Sequence, residues 1–110
     1  MRYSEQLCIK FQQAMELLGK RWTGLIIKLL MERPLRFSEL AERLEVVGDR
    51  MLSERLKELE HQGVIERRIF AEVPVRVEYS LTEKGRALAP VIESIEAWSD
   101  RWVEREVVGG

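Results

Sequence analysis

Apolar residues recur at helical spacing in several stretches of this chain and alternate with polar ones in two more. Between Gly48 and Arg68, GDRMLSERLKELEHQGVIERR, Leu52, Leu56 and Leu59 recur at i, i+4 and i+7, while Arg50, Ser53, Glu54, Lys57 and His61 fall on the opposite face. This pattern predicts a helix with one side buried and the other presented. Gly48 and Asp49 suit its start, where a carboxylate favours the positive end of the dipole. Gly63 suits its stop, because glycine takes the left-handed C′ conformation without steric cost. Upstream, Leu7, Phe11, Ala14, Met15 and Leu18 share one face of a first helix, capped by Ser4 and ended by Gly19, that packs on the core through Phe11, Met15 and Leu18. Lys20 and Arg21 suit its negative end. The segment WTGLIIKLLM, Trp22 to Met31, is apolar nearly all round and predicts a buried central helix. Pro34 forces an extended link over Arg33 to Phe37. Ser38 then caps a brief helix through Leu44, and Glu45 to Gly48 makes the turn into the presented helix.

Downstream, VIERRIF and VRVEYSL alternate and are separated by Ala71 to Val75, which predicts a β-hairpin whose tip carries Glu72 and Pro74. Thr82 caps a last helix with Leu88, Ile92, Ile95, Trp98 and Trp102 along one seam. That seam exceeds what a small core covers and predicts pairing with a second copy. The fold class expected is mainly α with a small β-hairpin wing (α+β), a winged helix-turn-helix in a single domain over 1–110.

With 110 residues, 45% hydrophobic and 34% charged, the chain has room for one core and no second domain. No apolar run approaches the roughly 20 residues of a membrane span, and MRYSEQLCIKF lacks a secretory h-region, so a cytoplasmic protein with no membrane partner is expected. One cysteine and one histidine exclude an internal disulfide and a Cys/His zinc site within one chain. No cofactor is expected. No phosphate loop, Ser/His/Asp set or pair of buried carboxylates can be assembled, which argues against an enzyme. The formal net charge is −1, so any DNA-binding charge has to be concentrated locally.

Three pieces, LLGKRWTGLIIKLLMERPLRFSELAERL, RMLSERLKELEHQGVIERR and EVPVRVEYSLTEKGRAL, occur in an order and spacing that resembles the HxlR-type family of winged-helix transcriptional regulators over roughly residues 8 to 98. The resemblance implies a homodimer on double-stranded operator DNA, probing the major groove with the helix from Asp49 and covering the adjacent backbone with the hairpin near Glu72 to Arg76. It also implies that the terminal helices build the dimer, which sets Leu7 and Phe11 beside Leu88, Ile92, Ile95, Trp98 and Trp102. Members similar to this chain carry one cysteine near the N-terminus that senses quinones, diamide-like oxidants or other thiol-reactive electrophiles, and Cys8 stands there. The family often has proline just after this cysteine and serine at the recognition-helix cap; here they are Ile9 and Gly48.

On that reading the DNA-facing set is Arg36, Ser38, Asp49, Arg50, Ser53, Glu54, Arg55, Lys57 and Arg76. Arg50 lies near the helix N-terminus, which reaches base edges; Arg55 flanks the apolar stripe and grips a phosphate or a neighbouring carboxylate. Arg36, Arg67, Arg68 and Arg76 are candidates for backbone contact, with Arg67 and Arg68 on opposite strand faces. By charge alone Arg50, Arg55 and Lys57 are matched by Glu54, Glu58 and Glu60, as on any solvated face. Cys8 reads either as inert packing or as a sensor activated by the helix dipole, Lys10 and Arg2. His61 reads as a solvated helix end, and Trp22, Trp98 and Trp102 as core or dimer seam rather than a ligand cage. Two rivals stay open: a winged-helix protein-docking module, and a regulator controlled by a reversible small-molecule ligand.

Overall fold

The computed structural model describes residues 5–105, with side chains from Cys8 onward; Ser4, Arg2 and the Leu7 side chain lie outside that description. The elements in order are α1 (Glu5–Gly19), α2 (Thr23–Glu32), β1 (Leu35–Arg36), α3 (Phe37–Arg43), a 3₁₀ turn (Glu45–Val47), α4 (Asp49–His61), β2 (Ile65–Phe70), β3 (Arg76–Leu81), α5 (Glu83–Arg86) and α6 (Ala89–Trp102). The sheet is antiparallel in the order β1-β3-β2. A mainly helical chain with a hairpin wing is the architecture the pattern predicts.

The core is a layer of aliphatic side chains shared by every central element: Ile26, Ile27 and Leu30 of α2, Leu40 of α3, Leu52, Leu56 and Leu59 of α4, with Leu35, Val64, Ile65 and Leu81 from the sheet. Ile65 pairs with Leu81 at the base of the hairpin, so the wing is rooted in this core while its tip projects. The end of α4 is fixed by backbone geometry. Gly63 adopts φ 75°, the Val64 N–H donates to the Leu59 carbonyl and the Gly63 N–H to the Glu60 carbonyl, which closes the C-terminal turn in a Schellman arrangement. The same corner is locked from the other side. Thr82 Oγ1 donates to the Gly63 carbonyl at 2.5 Å and accepts from the Gly85 N–H at 3.1 Å, and a Cβ on Gly85 would lie 2.1 Å from the Val64 carbonyl oxygen. This close approach leaves no room for a side chain at Gly85.

Five expectations are corrected. Ser38 does not cap α3: Arg36 stands at the N-cap, and its backbone N–H donates to Glu39 Oε1 at 2.9 Å, so the carboxylate three residues on replaces a hydroxyl cap. The last helix is two helices. Thr82 caps α5 as expected, but the chain turns at Ala87–Leu88 before α6, where Pro90 in the first turn has no N–H to continue the earlier ladder. The seam divides accordingly, with Ile92 buried and Leu88 half-buried on the core while Ile95, Trp98 and Trp102 face outward. Phe11 and Met15 do not pack on the core; both are exposed, and α1 rests on it through Leu17 and Leu18. Finally, α2 is buried on one side only, since Leu25 is exposed and Lys28 pairs with Glu96 of α6.

The exposed apolar residues lie mostly on the terminal helices α1 and α6, with others on α2 (Leu25), in the turn before α4 (Val46) and on the wing (Ile69, Val73 and Val75). Phe11 is 63% exposed, Trp98 61% and Trp102 63%, with Ile9, Met15, Leu25 and Ile95 also exposed. Single exposed apolar residues are ordinary, but two indoles and a phenyl ring with four aliphatic companions exceed that background. A radius of gyration of 16.3 Å, against about 13 Å for a compact chain of 100 residues, fits helices that reach away from the core.

Candidate nucleic-acid interface

The helix-turn-helix is α3, the 3₁₀ turn and α4. Leu40 and Leu44 seat α3 on the core, and Leu52, Leu56 and Leu59 seat α4. The hundred-degree rotation per residue then fixes what α4 presents. Arg50 is the most exposed of the charged side chains in the ion pairs described, at 95%, and its only ionic partner among the described residues is Glu54 at 3.7 Å. Asp49 and Lys57 are exposed and Ser53 is half-buried on the same side. Lys57 enters no ion pair among the described residues. Arg50 and Lys57 are therefore free to meet an external anion.

Gly48 sits at φ 81°, ψ 149°, a region that essentially only glycine occupies, and it gives α4 no side-chain cap. Its carbonyl takes the first helical bond, from Leu52. The amides of the first turn have no capping side chain, in the arrangement that suits a phosphate oxygen at a helix N-terminus. A serine here would cap the helix itself, so the glycine exchanges an internal hydrogen bond for open donors. Val46, in the turn just before, is exposed, an apolar side chain beside the reading helix that polarity-based reasoning passes over.

Two arginines of the expected DNA-facing set are turned to other work. Arg55 is 16% exposed: its Nε donates to the Arg21 carbonyl at 2.9 Å and its Nη1 to Glu58 Oε1 at 3.2 Å. Of the two partners the sequence allowed, it takes the carboxylate, and its side chain is directed at the protein. Arg76 stacks 4.2 Å from the Phe70 ring centroid, bonds Glu72 at 3.2 Å and lies 3.8 Å from Glu78. The Arg76 charge is cancelled internally. Cross-strand register explains how: Glu78 faces Arg36 on β1 and Arg68 on β2, and Arg68 bonds Glu66 at 2.7 Å. Arg67 lies on the other strand face, exposed and outside the ion pairs of the described residues. Ser38 is exposed in the first turn of α3.

The support behind this surface was not visible in the sequence. Glu39 accepts from the Arg36 backbone and from Arg33 Nη2 at 3.0 Å, and these bonds hold its carboxyl below the usual carboxylate range. Glu58 is held low by the Lys20 ammonium at 2.9 Å, with Arg55 adding to it. The Lys20–Glu58 pair joins residues 38 apart in sequence, so local pattern gives no signal for it, whereas Glu39 takes its bonds from Arg36 and Arg33 only three and six residues before it. Cys8 lies in α1, exposed and unbonded, three residues before Phe11. No group of three or more His, Cys, Asp or Glu side chains among the described residues is placed to hold a metal ion, and no helix is long and apolar enough to cross a membrane.

Comparison with known proteins gives this surface its meaning. The model of the HxlR-like helix-turn-helix family matches residues 17–107. The HTH-type transcriptional regulator YodB of Bacillus subtilis is 49% identical over 98 residues, covering 89% of this chain and 88% of YodB. The structure of its reduced form superposes with a TM-score of 0.79 over 86% of this chain and 93% of that one, at 49% identity. Its quinone-bound form gives 0.75 over 84% and 97%, at 46% identity. The chain therefore belongs to the HxlR-like helix-turn-helix family and is a DNA-binding transcriptional regulator, not an enzyme.

Proposed function

We propose that this single-domain chain works in the cytoplasm as a homodimeric repressor whose operator affinity falls when Cys8 is oxidised or alkylated. The observation that carries the reading is the pairing of two surfaces. α4 offers Arg50, Ser53 and Lys57 opposite its buried leucines, and α1 carries an exposed Cys8 in the same helix as the unpartnered Phe11 and Met15. A second copy covers Phe11, Ile95, Trp98 and Trp102, and sets two α4 helices for successive major grooves of an inverted repeat. A quinone-bound form of YodB supports a thiol-reactive effector.

The chemistry available to Cys8 is balanced in either of two ways. Its thiolate adds to a quinone carbon, forming an S–C bond while the ring takes up the electron pair and a proton to become a hydroquinone. With diamide, two thiols lose their protons and an electron pair to the N=N bond, which becomes a hydrazine, and a disulfide forms. Because the chain has one cysteine, the second sulfur belongs to the partner subunit or to a small thiol. Either product at the dimer face displaces one subunit against the other. Losing one half-site then forfeits much of the roughly 4 to 10 kcal/mol separating specific from non-specific binding.

The test is a mobility shift on the chain's own upstream DNA, with and without benzoquinone or diamide, using the native protein and Cys8→Ser. The native complex should dissociate on treatment and the Cys8→Ser complex should persist. A native complex indifferent to both reagents, with Cys8 slow to label, refutes thiol sensing and favours a reversible ligand between the helices.

A further inference from the structure

We propose that Lys20, Arg55 and Glu58 form a clamp that ties the recognition helix to the turn between α1 and α2, and that this clamp carries a change at α1 to the DNA-reading face within a single subunit. The inference rests on the thiol-sensing reading above and supplies its route.

Among the described residues, two side-chain links join the α1–α2 turn to α4: Arg55 Nε to the Arg21 carbonyl at 2.9 Å, and Lys20 Nζ to Glu58 Oε2 at 2.9 Å. Glu58 also accepts from Arg55 at 3.2 Å, so the links share a carboxylate and act as one unit. The turn that they grip is not slack. Trp22 is the one non-glycine residue at positive φ among those described, at 77°, a conformation that persists only where its surroundings impose it. The Arg21 guanidinium covers its ring at 4.4 Å, and the buried Thr23 closes the turn through its N–H to the Lys20 carbonyl. A stiff turn transmits displacement where a flexible one absorbs it.

Arg55 and Glu58 lie on the flank of α4 between its buried stripe and its presented face, and Arg50 is five residues away on the same rigid rod. On the other side, α1 runs into the turn directly, since Gly19 is its last residue. A cleft of about 290 Å³ lined by Gln13, Glu16, Leu17, Lys20 and Gln62 separates the end of α1 from the end of α4. Beside Leu17 and Leu18, which rest on the shared core, that open space leaves the two polar links as the described side-chain hydrogen bonds between the end of α1 and α4, and on this proposal they reset as a set when α1 shifts. Lys20, Arg55 and Glu58 are positioning residues; the DNA is touched by others.

The experiment measures operator affinity by fluorescence anisotropy before and after benzoquinone treatment, for the full-length native protein, Lys20→Met, Glu58→Gln and Arg55→Gln. Each variant is compared with itself, so a purely structural role, which changes stability, leaves the ratio of the two affinities where it was. Cutting the clamp should shrink the loss of affinity on modification by about tenfold, while Cys8 labels at the native rate. Lys20→Met and Glu58→Gln replace side chains nearer the surface than Arg55 and carry the test if Arg55→Gln does not fold. A native response with undiminished responses in all folded variants overturns the clamp and leaves Cys8 sensing intact. A native protein that labels at Cys8 and keeps its affinity overturns the sensing reading, and the clamp's proposed role with it.

Discussion

Replacing Arg50 by alanine separates a reading helix from a merely solvated one. In the free protein the residue does little: its side chain is 95% exposed and its one described ionic partner, Glu54, stands at 3.7 Å. Such an exposed i,i+4 pair contributes about 0.3 to 0.5 kcal/mol at most, so thermal unfolding should barely move. On the operator the balance reverses. A bidentate arginine on a guanine edge discriminates by about 1 to 3 kcal/mol, and the proposed homodimer would apply that twice, giving about 2 to 6 kcal/mol, or roughly thirtyfold to more than ten-thousandfold in affinity. The assay is anisotropy on operator and on scrambled DNA across a salt series. If Arg50 reads a base, its removal should lower the ratio of the two affinities and leave the salt slope in place. If it grips a phosphate, its removal should weaken both DNAs alike and reduce the slope by about one per site. Unchanged affinity for both DNAs, in a folded dimer, refutes the assignment of this face of α4 to DNA.

Lys57→Ala should weaken binding without unfolding, checked by the same titration. Trp98→Ala and Trp102→Ala should each weaken the dimer, by about 2 kcal/mol or more if they anchor it; sedimentation over a concentration series reads this, and an unchanged dimer constant removes them from the interface. Gly85→Ala places a Cβ 2.1 Å from the Val64 carbonyl oxygen and should cost about 1 to 3 kcal/mol of stability, seen as a lowered urea midpoint. Glu58 has its folded-state pKa lowered, first by the Lys20 hydrogen bond. A depressed carboxylate contributes stability above its unfolded value, ordinarily 4.5, and loses it as pH falls through the lower folded value. The urea midpoint should therefore fall on acidification below that range, and Glu58→Gln should flatten the decline.

The period of apolar residues is enough to find α4, the hairpin and the core, because burial of Leu52, Leu56 and Leu59 leaves one rotation of the helix and alternation leaves one register of the strands. Gly63 and Thr82 are legible for a related reason: each solves a local backbone problem that few other residues solve. What stays hidden depends on tertiary proximity. Nothing near Arg55 in the sequence indicates that the carbonyl of Arg21 will lie against it, and Pro34 announces an extended link around Leu35 but not a strand, since its two residues pair only because β3 passes by. Phe11 and Met15 mislead for the converse reason. Periodicity shows that a helix has an apolar face, but not whether this chain or another copy covers it.

Charge gives the sharpest contrast between count and placement. A net charge of −1 says little against DNA binding here, because acids and bases are sorted rather than mixed. Glu66, Glu72 and Glu78 are spent on Arg68 and Arg76 along one face of the wing, and Glu39 and Glu58 on Arg33, Lys20 and Arg55 behind the helix-turn-helix. Those pairs are internal supports, and a phosphate backbone would have to displace a carboxylate to use their cations. Arg36, Arg50, Lys57 and Arg67 are left weakly paired or unpaired among the described residues, beside an α4 N-terminus with no side-chain cap. With so few free cations, non-specific affinity should be low and its salt dependence shallow, with a log–log slope of about one per phosphate that they still reach. A dimeric repressor of the proposed kind would gain little from the backbone alone, and its occupancy of an operator would depend on both recognition helices reading bases together. On the proposed reading, that dependence would make a small displacement at the subunit face sufficient to release it.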